Sequence, residues 1–476
     1  IKINIGHPVT RNMPDSEKDA HAANEDELFQ RAFDSLLETE KKGYPSFVGG
    51  MMVASGNDYE LRSPIDKSII FGNFQMPEKG TVAAAVSAAG SAAGSWSSKA
   101  SSERTELFRD VLKRVRAQRY RLAACVMIST GMAMKDCLAE ADRLAEVIEN
   151  ACDANVSNGS PMGVWGVISG HNSPLASPAG FSSCAMIAGN TVVSVPSNEC
   201  PMPMFMFNNI LSAAGLPVGV FNITVARGPE SDRELVDDMT VRGVAASGSG
   251  DRMEELIFLP VDDGLKFINE IKGMNPIVVY RPGEMKGVAS SIAESAFRSS
   301  GQRIYSCSKV IVTNEEREKA VSAILEAVKA VKVGDPAEKG VTAGPLMNET
   351  ELMRFEKYIG EAGSSVVFGG RKASASGLEN GSYVTPAVVV GLTDDCELGS
   401  FDTGLPILTI VSVPNFDDAI EELMNTECGL SASIFSKDSN AVAKFKEFAD
   451  APHLNINKGT EDMLPAMDAE VRNFLA

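Results

Sequence analysis

Histidine is scarce in this chain, with 4 among 476 residues, and the 8 cysteines fall without any CxxC or Cys/His ligand spacing. That scarcity excludes a structural zinc site and leaves no metal centre to expect. It also fits reduced thiols in a cytoplasmic protein. Basic residues are few as well: Lys and Arg total 44 against 63 Asp and Glu, a formal net charge of -19. The acids are scattered and not gathered into a tail. Without a basic footprint, neither nucleic acid nor an anionic membrane is an expected partner. No apolar run approaches the roughly 20 residues that cross a bilayer, and the stretch Ile1 to Ile5 lacks the basic start and apolar core of an export signal.

What is present is the texture of a large α/β protein. Leu28, Phe29, Ala32, Phe33, Leu36 and Leu37 repeat at helical spacing over 26 to 41, and further helices are expected at about 79 to 96 and 102 to 130. From Val164 the runs VWGVIS, NTVVSVP, VFNITV and VRGVAAS alternate with a helical segment at about 201 to 214. Strand, helix and strand in that rhythm indicate a parallel sheet. The alternation returns with strands at 276 to 280 and 309 to 312 and helices near 285 to 299 and 314 to 331. A loop-rich stretch to about Pro386 follows, then strands at 387 to 392 and 407 to 413 and a helix at 416 to 425. Two α/β domains joined near Glu270 are the expected architecture.

Several segments in order resemble the aldehyde dehydrogenase superfamily. They include Gly43 to Gly50 (GYPSFVGG), Gly189 to Val193 (GNTVV), Ala213 to Asn222 (AAGLPVGVFN), Ser247-Gly248-Ser249, Glu270 to Pro276 (EIKGMNP), Val333 to Pro336 (VGDP), Gly344-Pro345-Leu346 and Gly429 to Ala432 (GLSA). The first of these is similar to the 1-pyrroline-5-carboxylate dehydrogenase branch in particular. The resemblance implies an α/β fold of two Rossmann-type domains: a cofactor-type domain with N-terminal helices over 1 to 270, a catalytic-type domain over 271 to 450, and a truncated C-terminal segment over 451 to 476. It further implies that the family's oligomerisation flap is missing, because only Asp153 to Pro161 precedes the strand that begins near Met162, and Ala476 follows soon after the altered substrate loop.

The resemblance assigns roles position by position. Asn172, in His171-Asn172-Ser173-Pro174 where the family has an aromatic-Asn-Phe-Pro turn, is the oxyanion donor, and Glu270 is the general base. Taken alone, Asn172 reads as a turn residue and Glu270 as a solvated helix end. The nucleophile position, in the run Ser300 to Lys309, is Ile304, whose side chain has no lone pair with which to attack an aldehyde. Cys307 lies three residues on, roughly 10 Å away in an extended chain, and Cys184 and Cys200 read as buried core.

The cofactor positions are altered too. The family's lysine corresponds to Val195 and the glutamate after it to Asn198; Gly248 and Ser249 remain, but the second glycine of that loop is Met253. Asp402 stands where a glutamate holds the nicotinamide ribose, and Glu461, Asp462 and Met463 stand where the branch anchors the substrate carboxylate. Absent or weak NAD(P) binding is therefore expected. The function expected is that of a catalytically inactive homologue working through an unknown protein or small-molecule ligand. A divergent NAD(P)-dependent aldehyde oxidoreductase is the alternative, and non-covalent chemistry on Asn172 and Glu270 is a third possibility.

Overall fold

The structure, a computed structural model, describes residues 25–38, 43–154, 159–257, 264–392, 396–460 and 471–476. Its frame is two seven-stranded sheets, accompanied by a three-stranded sheet near the N-terminus and a two-stranded one. The first large sheet runs, in spatial order, Lys266–Ile271, Val241–Gly248, Val164–Ser169, Thr191–Pro196, Phe221–Ile223, Ser46–Val48 and Met51–Val53. The five strands from Lys266–Ile271 to Phe221–Ile223 are parallel, and Ser46–Val48 and Met51–Val53 close the edge antiparallel. Their continuous apolar runs follow from burial on both faces: all six residues of Val164–Ser169 and of Thr191–Pro196 are buried.

The second large sheet runs Val366–Phe368, Ala387–Val390, Ile407–Val413, Lys309–Thr313, Ile277–Val279, Ser431–Phe435 and His453–Ile456. It is parallel except at Val366–Phe368. The chain passes from one large sheet to the other between Ile271 and Ile277. His453–Ile456 belongs to this second sheet as its edge strand, so the second body extends past residue 450. Residues 471–476 return to the first body: Phe474 packs on Trp165 at 4.5 Å between ring centroids, and Asn190 Nδ2 donates to the Phe474 carbonyl at 2.7 Å. Pro161 and Leu475 form an isolated antiparallel bridge in the connection before Val164.

Several elements differ from the sequence expectation. The apolar face at 102 to 130 is two helices, Ser101–Ala117 and Arg119–Thr130, broken at Gln118, whose N–H caps the first by donating to Arg114 O. The stretch read as loop contains the helix Glu349–Ala362, with Asn348 as its cap accepting from Glu351 N. Ala176–Ala188 escaped the periodicity because every one of its residues is buried, so no polar face marks it. It ends at Gly189, held at φ 99° in the left-handed region that a side chain disfavours. Among the described residues no helix is long and apolar enough to cross a membrane.

Candidate active site

Strand order in the first sheet reverses between Val164–Ser169 and Val241–Gly248, and in open α/β sheets ligands bind at the carboxyl ends of the strands beside such a reversal. Two glycines let the loops meet there. A Cβ on Gly248 (φ 147°) would lie 3.2 Å from Gly170 Cα, and one on Gly170 would lie 3.3 Å from Gly248 Cα. Ser249 and Asn172, which follow these glycines, are thereby brought together: Ser249 Oγ donates to Asn172 Oδ1 at 3.0 Å. The Asn172 amide in turn donates to the Gln302 carbonyl at 2.7 Å. Asn172 is 3% exposed, so the expected oxyanion donor has an N–H already committed to the backbone.

The loop carrying Ile304 is held on every side. Ser299 and Ser300 sit at φ 52° and 54°, a conformation that costs non-glycine residues energy and persists only where neighbours over-determine it. Ser299 Oγ donates to Asp136 at 2.5 Å, and Ser300 Oγ donates to Gly344 O at 2.6 Å. Gln302 donates to Pro345 O and accepts from Met347 N. Asn275 Nδ2 donates to the carbonyls of Ile304 and Ser306, while its Oδ1 accepts from Ser431. Ile304 itself is 2% exposed and packs against Tyr305 and Leu430. The side chain at the expected nucleophile position is thus part of an apolar contact.

No thiol replaces it nearby. Cys307 is buried in a different cluster, on the second sheet, with its Sγ donating to Lys309 O at 3.3 Å. Burial pushes that thiol up to about 12, which leaves essentially no thiolate at neutral pH. Cys200 is raised well above the ordinary range for the same reason, and Cys184 is raised by burial as well.

Glu270 is the last residue but one of the strand Lys266–Ile271 and is 3% exposed. The solvated helix end that its local sequence suggests is corrected on both counts. Ser177 Oγ donates to its Oε2 at 2.6 Å.

At the positions where the resemblance leads one to expect a cofactor, the chain's own side chains pack closely. Val195 is wholly buried among Val82, Ala85, Ile168, Met253 and Ile271, and offers no polar group. Met253 is also 0% exposed, and its Cγ lies 3.2 Å from where a Gly248 Cβ would be. Asn198 is half-buried and accepts from Tyr59 Oη through its carbonyl. Arg252 lays its guanidinium across the strand ends, donating to Ser169 O at 3.0 Å and Val195 O at 3.2 Å. It also holds both Asp232 oxygens at 2.7 Å. Asp402 is ion-paired with Lys272, whose own N–H donates to Gly248 O. Outside the Arg252–Asp232 pair lies a shallow depression with a cavity volume of about 10 Å³, lined by Pro229, Asp232, Arg233, Arg252, Glu255 and Leu256. Ligand sites run to roughly 300–1,000 Å³, and this one is not at Ile304. Glu461, Asp462 and Met463 lie outside the described residues.

Arg252, Asp232, Lys272 and Gln302 escaped the sequence reading. Their motif positions carry no signal of their own; Lys272, a charge two residues past Glu270 and followed by apolar strand, was the one visible hint. His171 adds a bridge between the bodies: it pairs with Glu199 at 3.4 Å, and Asn348 donates to the same carboxylate at 2.6 Å. Burial acts to lower the His171 pKa, but the bond and charge of Glu199 outweigh it and leave the imidazole above its ordinary value.

Comparison with known proteins places this geometry. The alpha-ketoglutaric semialdehyde dehydrogenase of Bacillus subtilis (strain 168) is 27% identical over 441 residues, covering 88% of this chain and 90% of that protein. The 1-pyrroline-5-carboxylate dehydrogenase of Geobacillus sp. (strain WCH70) is 26% identical over 462 residues, covering 91% and 89%. Among solved structures, a mutant 1-pyrroline-5-carboxylate dehydrogenase of Thermus thermophilus superposes with a TM-score of 0.86 at 20% identity, covering 99% of this chain and 98% of that one. That likeness shows the fold. Residues 52–467 match the family described as the aldehyde dehydrogenase family, so the chain, with homologues named 1-pyrroline-5-carboxylate dehydrogenase, belongs to that family.

Proposed function

We propose that this protein has left the aldehyde-oxidising chemistry that its relatives' names describe and acts by binding a small ligand or a partner protein. The observation that carries the reading is Ile304, an apolar side chain packed on Tyr305 and Leu430 at the position where the family resemblance puts the nucleophile. Without a thiolate no thiohemiacetal forms, and no hydride has an intermediate to leave from. The dinucleotide positions support it independently. Val195 and Met253 supply no donor, Arg252 is spent on Asp232 and two carbonyls, and the Asp402 carboxylate is neutralised by Lys272. These residues do not fit NAD(P).

The test follows NADH and NADPH absorbance with glutamate semialdehyde and simple aldehydes. The expected result is no turnover above a heat-inactivated control. Turnover that is lost on Cys307→Ala would restore the reading as a divergent aldehyde oxidoreductase.

A further inference from the structure

Next to Ile304's loop, two buried carboxylates are joined by two serines. Glu140 lies on the helix Met134–Asp153 and is 7% exposed; Glu270 is 3% exposed. Between them stand Ser173 and Ser177, at 2% and 0%. The oxygen separations along the chain are 2.7 Å from Glu140 to Ser173, 3.0 Å from Ser173 to Ser177 and 2.6 Å from Ser177 to Glu270. Three contacts each need one hydrogen, and the two hydroxyls supply two. With both carboxylates ionised, each serine donates outward to its own carboxylate; Ser173 Oγ also accepts from Ser177 N at 3.3 Å, but no hydrogen stands between the two hydroxyl oxygens 3.0 Å apart. A third hydrogen completes the chain, and a carboxyl proton is the group that can provide it.

From this count we propose that Glu140 and Glu270 form one acid–base couple that shares a single proton through Ser173 and Ser177. Transfer along the chain balances atom by atom. The O–H bond of Glu270 breaks as Ser177 gains that proton, Ser177 passes its own to Ser173, and Ser173 passes its own to Glu140. One carboxyl ends as an acid and the other as an anion, whichever way the proton lies. Glu140 has the further donors that an anion needs, Leu175 N at 3.1 Å and Ala176 N at 2.8 Å, both at the start of the helix Ala176–Ala188. Burial nonetheless holds its pKa above the usual carboxylate range, which fits a proton kept close by.

The other charged groups around the couple are engaged elsewhere. Asp136, one turn before Glu140, is paired with Arg298 at 2.9 Å and faces Arg303 at 3.7 Å. Arg143 is paired with Glu146, and Lys272 with Asp402. Cys184 on the facing helix and Cys137 beside Asp136 are both raised by burial and stay neutral. Ser173 stands where the family turn has phenylalanine, and its hydroxyl is the link that closes the chain. The couple places an internal proton route between the helix Met134–Asp153 and the strand Lys266–Ile271. It does not depend on the loss of the nucleophile.

Infrared difference spectroscopy of the carboxyl C=O stretch, on the full chain at neutral pH, tests this. The wild type should show one buried protonated carboxyl. Glu140→Gln and Glu270→Gln should each abolish that band, because the amide N–H supplies the missing hydrogen and the surviving carboxyl becomes an anion. Two independent groups would lose the band in only one of the variants. No band in the wild type, or a band surviving either substitution, overturns the proposal. Ser177→Ala keeps both carboxyls and cuts the chain, so it serves if a glutamine variant fails to fold. It should move the band to higher frequency, and an unmoved band overturns the proposal as well.

Discussion

Lys272 and Asp402 form a buried ion pair between the bodies of the two large sheets, with side chains 1% and 6% exposed. One partner follows the strand Lys266–Ile271 of the first sheet, and the other precedes the strand Ile407–Val413 of the second. The pair therefore joins the bodies beside the Gly248 loop, to whose carbonyl the Lys272 N–H donates.

Removing one member leaves a charge buried without its partner, which costs about 3–5 kcal/mol, whereas replacing both by apolar groups is often near neutral. Lys272→Met is accordingly expected to destabilise strongly, and Lys272→Met with Asp402→Leu to recover most of the loss. Urea unfolding of the two variants measures it. Equal losses in the single and double variants would show that the pair does not hold the cleft.

Nucleotide binding is expected to be weak. An ammonium lost at Val195 removes a charge-assisted contact worth about 1.5–3 kcal/mol, which is roughly ten- to a hundredfold in affinity. Restoring a lysine there would force an ammonium into the Val82, Ala85 and Ile271 core, so the informative variant opens the crevice instead. Calorimetric titration with NAD and NADP should show binding stronger in Arg252→Ala, Met253→Gly than in the unmodified chain. Micromolar binding by the unmodified chain contradicts the reading.

Ile304→Cys alone is expected to leave the protein without aldehyde oxidation, because Val195 still lies in an apolar core and Lys272 still holds Asp402 at the expected dinucleotide positions. NADH absorbance with a simple aldehyde checks it. Appreciable turnover in that variant would mean that the cofactor site had never closed.

The cysteines separate by burial. Cys125, Cys137, Cys152, Cys184, Cys200, Cys307 and Cys428 are buried, and Cys396 is partly exposed. A thiol reagent at pH 8 should modify Cys396 quickly and the buried set only after unfolding. Fast labelling of Cys307 in the native protein would reopen it as a nucleophile.

His171 and Glu199 predict a pH dependence of opposite sign at its two ends. The His171 pKa is raised in the folded protein from an ordinary 6.5, so its contribution is complete below that value and fades as pH rises through the folded value. The Glu199 pKa is lowered from 4.5, with burial opposing the His171 bond and charge that prevail, so its contribution is complete above 4.5 and fades as pH falls. The pair is partly exposed and worth less than about 1 kcal/mol. The melting temperature of the wild type should exceed that of His171→Gln most between these limits, and parallel curves would refute the coupling.

Local pattern was enough to find the parallel strands, whereas Ile304 stood out only through the resemblance to the aldehyde dehydrogenase family. A β-branched run suits a strand buried on both faces, and isoleucine has no nucleophilic atom in any fold. The helix Ala176–Ala188 and the break at Gln118 were not legible, because the first has no polar face and the second interrupts an apolar stripe that reads as continuous. Nor could a one-dimensional reading place Lys272 against Asp402, Arg252 on the carbonyls of Ser169 and Val195, or Glu140 in line with Glu270. Those contacts join positions 130, 83, 57 and 130 residues apart, and only the packing of strands, helices and loops from distant parts of the chain sets them within hydrogen-bond reach.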